Sequence, residues 1–116
     1  MIKNIKEYEF GPLTAGVGGR MSVLIGDDMA PNFAMRKFVI KSKGSMPLHT
    51  NSVEHEQYVL SGSAKVVIGD VVKIAQKDDV LFIPAGIEHS YDVVGDEDYE
   101  FLCLVPNIED EIKILS

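Results

Sequence analysis

A chain of 116 residues, 46% hydrophobic and 25% charged, is long enough to bury a core without disulfides or a structural metal, and reads as one globular domain over 1–116. Its net charge of -7 lacks the Lys/Arg surplus that phosphate-backbone binding requires, which argues against nucleic acid and anionic membrane surfaces as partners. The single cysteine, Cys103, cannot form an internal disulfide and suits a reducing compartment. The charged start "MIKNIKEYEF" has no apolar signal core, and no apolar run approaches ~18 residues, so the expectation is a cytoplasmic protein.

Short strand-like runs follow one another along the chain. "RMSVLIG" (20–26) is the first, followed by a turn at "DDMAPN". "FAMRKFVIK" (33–41) alternates and is interrupted by "SKGSMP". "LHTN" and "HEQYVLSG" flank the short connection "SVE". "AKVVIGDVVKIA" (64–75) reads as a hairpin turning at Gly69-Asp70. "VLFIPAG" ends in a sharp reversal at Pro84 and Gly86, and "EHSYDVV", the acidic loop "GDEDYE" and "FLCLVP" complete the series. The tail "NIEDEIKILS" fits either a short helix or a covering strand. No connection is long enough for a crossover helix, so the pattern predicts an antiparallel β sandwich or barrel.

The chain's three histidines are His49, His55 and His89. In a strand, residues i and i+2 share a face roughly 7 Å apart, so His49 and Asn51 can reach one ion. His55 follows a three-residue connection and can begin the return strand. His89 comes from elsewhere, after "PAG". Imidazole nitrogens and an amide oxygen suit zinc, iron, nickel or manganese. The same spacing also describes histidines that are simply exposed near turns or hydrogen-bonded within the core. No Ser-His-Asp or Cys-His arrangement stands out, and Cys103 in "YEFLCLVPN" reads as a small buried hydrophobe.

"GSMPLHTNSVEHEQYVLSG" (44–62) resembles the first cupin motif, and "DDVLFIPAGIEHSYDVV" the second (78–93). With the strand series, the likeness spans roughly Pro31 to Pro106. It implies an antiparallel double-stranded β-helix, or jelly-roll barrel. The family pattern aligns His49 with the first metal histidine and puts Asn51 where a second histidine is usual. His55 falls where an acidic ligand is usual, with Glu56 beside it. Alternation puts His55, Gln57 and Val59 on one face and Glu54, Glu56 and Tyr58 on the other, which favours His55. Pro84, Gly86 and His89 match the second motif, while Asp78 replaces its leading glycine.

The resemblance implies one divalent transition metal (Fe, Mn, Ni or Zn) held by His49, Asn51, His55 and His89. Exchanging a carboxylate for imidazole removes a negative charge and favours borderline metals over Mg or Ca. Arg36, Gln57, Met35 and Phe82 are candidates for a substrate pocket, Arg36 as the bidentate partner of a carboxylate. The function classes implied are a metal-dependent dioxygenase or isomerase acting on a small polar metabolite or organic acid, or else a non-catalytic binding or sensor module. The metal-free sugar-epimerase branch ranks last, because it carries several Arg and Lys and this chain has only Arg20 and Arg36 as arginines. The apolar strand "RMSVLIG" suits a homodimer contact.

Overall fold

The computed structural model describes residues 1–115. A single 3-10 turn, Ile5–Glu7, precedes ten strands: β1 Gly11–Pro12, β2 Val17–Ile25, β3 Phe33–Asn51, β4 His55–Ser61, β5 Ser63–Ile68, β6 Val71–Gln76, β7 Val80–Ile83, β8 His89–Val94, β9 Tyr99–Pro106 and β10 Ile112–Ile114. Every pairing among them is antiparallel. The predicted all-β jelly-roll barrel is the fold observed, and the undecided tail supplies a strand rather than a helix.

The principal difference from the sequence reading lies in β3. "SKGSMP" does not interrupt it; the strand runs on for 19 residues and changes partner instead. Phe33–Ile40 pairs with β9, whereas Ser45–His49 pairs with β8. Lys43, at φ 68°, and Gly44 form the corner. A Cβ on Gly44 would sit 2.5 Å from the Val17 carbonyl oxygen and 2.8 Å from that of Lys41, so only glycine lets the bent strand close against β2. Through this bend β3 meets β9, β8, β2 and β10, and it carries His49 and Asn51 at its far end.

Side-chain alternation fills the inside. On β4, His55, Gln57 and Val59 are buried while Glu56 and Tyr58 are exposed. On β9 the buried positions are Tyr99, Phe101 and Cys103. Phe38 and Phe101 stack with ring centroids 5.1 Å apart, and Tyr91 stacks on Phe101 at 5.4 Å. With Ile40 and Val59, both fully buried, these rings close one end of the barrel.

Asp78 explains the departure from the family's leading glycine. Its φ is 72°, in the left-handed region, and Asp is one of the few L residues that adopts it readily. Its carboxylate accepts a hydrogen bond from Tyr58 Oη at 2.9 Å.

Candidate metal and ligand site

Six polar side chains appear among the buried described residues, and five of them gather in one place: His49, Asn51, His55, Gln57 and His89, with Ser22 the exception. Polar groups cost free energy to bury unless they are paired, so such a concentration needs an account. All five line a cavity of about 370 Å³ at the unpacked end of the barrel. The rest of its wall is largely apolar, including Leu13, Met21, Phe38, Met46 and Phe101, with Ile112 and Ile114 of β10 along one side.

His49 and His89 are cross-strand partners on β3 and β8, their ring centroids 4.1 Å apart. The His55 ring lies 6.0 Å from that of His89. His49 Nδ1–H donates to the Pro47 carbonyl at 2.7 Å, and His89 Nδ1–H donates to the Ile87 carbonyl at 2.9 Å. A carbonyl can only accept, so each Nδ1 carries a proton, and whenever the ring is neutral its lone pair is on Nε2. This tether to a backbone carbonyl is how ligating imidazoles are oriented. The Nε2 atoms of His55 and His89 and the Oδ1 of Asn51 are buried with no hydrogen-bond partner.

Burial, above all, pulls His89 and His55 down to about 4; the Arg36 guanidinium and His89 reinforce this at His55. Both rings are therefore neutral at neutral pH, the state in which imidazole acts as a donor. Nitrogen donors and an orphaned amide oxygen match the chemistry of a borderline divalent ion. Among the described residues, no group of three or more His, Cys, Asp or Glu is gathered closely enough to hold a metal ion by itself.

The turn "PAG" is tied to the same site. Gly86 N–H donates to the Asn51 carbonyl at 2.8 Å, which brings the start of β8, and with it His89, beside the end of β3. Inward from the histidines, Gln57 Nε2 donates to Tyr91 Oη at 2.8 Å. Burial raises the Tyr91 phenol far above its usual value and also raises the Cys103 thiol, so both stay protonated. Arg36 enters the cavity with its Nη2 donating to Cys103 Sγ at 3.3 Å and its guanidinium 5.0 Å from the centroid of Phe38. Its Nε has no partner.

Two of the pocket candidates lie elsewhere. Cross-strand partners share a face. Glu56, which points outward, is opposite Phe82 on β7 and Leu104 on β9, and Leu104 is in turn opposite Met35. Phe82 and Met35 therefore stand on the outer face; Phe82 is 53% exposed, and neither lines the cavity. The row one residue along, Gln57, Cys103 and Arg36, is the inward one.

One residue that the sequence reading passed over belongs here. Asp110, in the tail before β10, accepts a hydrogen bond from Asn51 Nδ2 at 2.9 Å and has its Oδ2 3.7 Å from His55 Nε2. Its position in the acidic run "EDE" looks like any solvated tail, and no local signal sets it apart.

Comparison with known proteins fits this geometry. A family profile for the cupin domain matches residues 36–105, more than half of the chain. The chain belongs to the cupin domain family. Among solved cupin-like structures, the polyketide cyclase RemF from Streptomyces resistomycificus is 25% identical, superposes with a TM-score of 0.88, and is matched over 100% of this chain and 87% of its own. A cupin-2 domain protein from Rhodospirillum rubrum is 19% identical, with a TM-score of 0.86 over 100% of this chain and 80% of its own, which speaks for the fold alone. In sequence, 70 residues are 33% identical to mannose-1-phosphate guanylyltransferase 2 of Escherichia coli O157:H7, covering 59% of this chain but only 14% of that enzyme. No helix among the described residues is long and apolar enough to cross a membrane.

Proposed function

We propose that this cupin binds one divalent transition metal through His49, His55 and His89 with the Asn51 amide oxygen, and that it acts on a small, largely apolar organic molecule bearing a carbonyl or carboxylate. The observation that supports this most directly is the set of buried, unpartnered donor atoms on Asn51, His55 and His89, beside two imidazoles locked by backbone carbonyls. When bound, a metal ion would supply Lewis-acid polarisation of a substrate oxygen or a centre for oxygen chemistry.

The protein's own residues set the conditions for that chemistry. Arg36 offers a guanidinium with an unpartnered Nε and no acidic residue in an ion pair with it among the described residues, so an incoming anionic group would meet it. Apolar walls contributed by Leu13, Met46 and Ile112 exclude water and strengthen such polar contacts. Gln57, held by Tyr91, presents a fixed amide at the floor. Of the small polar metabolite or organic acid that the resemblance implied, the cavity lining favours an organic acid with an apolar body. The likeness to a polyketide cyclase supports a ring-sized, carbonyl-bearing substrate over a sugar.

A second reading is a non-catalytic binding module. It draws on the cavity wall, where the lining residues include no carboxylate and where Tyr91 stays protonated.

Metal analysis of protein purified without chelators tests the central claim. About one equivalent of a transition metal is expected, lost in His55→Ala and kept in Glu56→Ala. Protein that carries none and takes up none on titration would sink the proposal. Ligand retained unchanged by the metal-loaded protein favours the binding module over the enzyme.

A further inference from the structure

We infer that Asp110 is a positioning residue that turns Asn51 into an oxygen donor. This rests on the metal reading above and concerns how the site replaces the histidine usual at position 51. An asparagine amide can be placed two ways round, with either oxygen or nitrogen toward a given neighbour. A carboxylate only accepts, so the group that Asn51 presents to Asp110 Oδ2 at 2.9 Å is its NH2. That choice turns Oδ1 away from Asp110. Oδ1 is buried, has no hydrogen-bond partner, and belongs to a side chain that is 5% exposed and lines the cavity with the three histidines.

The tail is fastened so that this contact is kept. Asp110 Oδ1 accepts from Ser52 N–H at 2.9 Å and from Ser52 Oγ at 3.3 Å. Ser52 Oγ in turn accepts from Glu111 N–H at 2.7 Å. Beyond Asp110, β10 pairs with Thr50 and its neighbours on β3. One carboxylate thus uses one oxygen to anchor the tail and the other, which also lies 3.7 Å from His55 Nε2, to set the amide. Without it the amide is free to rotate and offer NH2, which cannot ligate a cation. The tail therefore completes the site that the two cupin motifs leave one donor short.

Co2+ alone, titrated into the metal-stripped protein and followed by its visible d–d bands and by calorimetry, tests this. Asp110→Ala should weaken Co2+ binding by about tenfold or more, as outer-shell partners of metal ligands do. Asp110→Asn can still accept from Asn51 Nδ2 and should stay within about threefold of wild type. Ser52→Ala, which loosens the tail but leaves the Asn51 contact, should also bind as wild type. The exchange Asn51→Asp with Asp110→Asn restores the hydrogen bond with a carboxylate now in the donor place, and should bind Co2+ at least as tightly as wild type. Asp110→Ala binding like wild type overturns the inference. So does Asp110→Asn failing as badly as Asp110→Ala, since Asp110 would then itself be a ligand. Wild type that binds no Co2+ defeats the metal reading and this inference with it, whereas the other outcomes touch only Asp110.

Discussion

His49 and His89, forty residues apart in the chain, face each other across β3 and β8 with ring centroids 4.1 Å apart, each held by its Nδ1 on a carbonyl two residues earlier. With Nδ1 taken up by a carbonyl, Nε2 is the nitrogen that each ring keeps for an ion. Replacing His89 with Gln should cost metal affinity about 100-fold or more while leaving the fold intact, because an amide oxygen is a poorer donor for a borderline ion. Competition against a chelating dye measures it; unchanged affinity would remove His89 from the site.

The metal-stripped protein should lose stability in mild acid. The folded-state values of His55 and His89, about 4, lie below the ordinary 6.5, so the unfolded chain takes up protons first as the pH falls. The contribution is fully present above about 6.5 and is lost between there and about 4. Allowing for solvent screening, roughly 1–3 kcal/mol should disappear, a fall in Tm on the order of 5–15 °C. Melts from pH 7 to 4.5 check this, and His55→Gln should flatten the profile.

Arg36 is expected to set affinity for anionic ligands without affecting the metal. With benzoate as probe, Arg36→Met should weaken binding by about 10–100-fold, the worth of a charge-assisted hydrogen bond. Arg36→Lys should recover only part of it, since lysine lacks the planar fork. Equal benzoate affinity in all three proteins would show that the guanidinium serves only to pack on Phe38 and Cys103.

Gly62 should be the most sensitive glycine to replace. It sits at φ 78° between β4 and β5, and a Cβ there would collide with the Asp98 carbonyl oxygen. Gly62→Ala should cost about 2 kcal/mol or more, a drop in Tm of roughly 8 °C or more by thermal melt. Gly95→Ala, also at positive φ but with open space around it, should cost less.

In solution a homodimer is expected, with the half-exposed Val23 of β2 in the contact. Light scattering at micromolar concentration should give twice the 12.8 kDa chain mass, and Val23→Glu should favour the single chain. A monomeric wild type would refute the expectation.

The sequence by itself determined most of the strands, the hairpin at Gly69-Asp70 and the residues that share a face on β4, because alternation and turn chemistry act between near neighbours. It also brought His49, Asn51, His55 and His89 into one hypothesis, since the two motifs carry them at fixed offsets. Only the tertiary structure decided what crosses between strands. Alternation says which residues share a face but not which face is inside, so Phe82 and Met35 looked like pocket residues until pairing with Glu56 and Leu104 put them outside. Pairing with Cys103 turned Arg36 inward by the same rule. The bend at Lys43-Gly44 kept β3 continuous where its composition suggested a break. Asp110 reaches Asn51 only because β10 folds back along β3, and nothing within the tail itself encodes a contact 59 residues away.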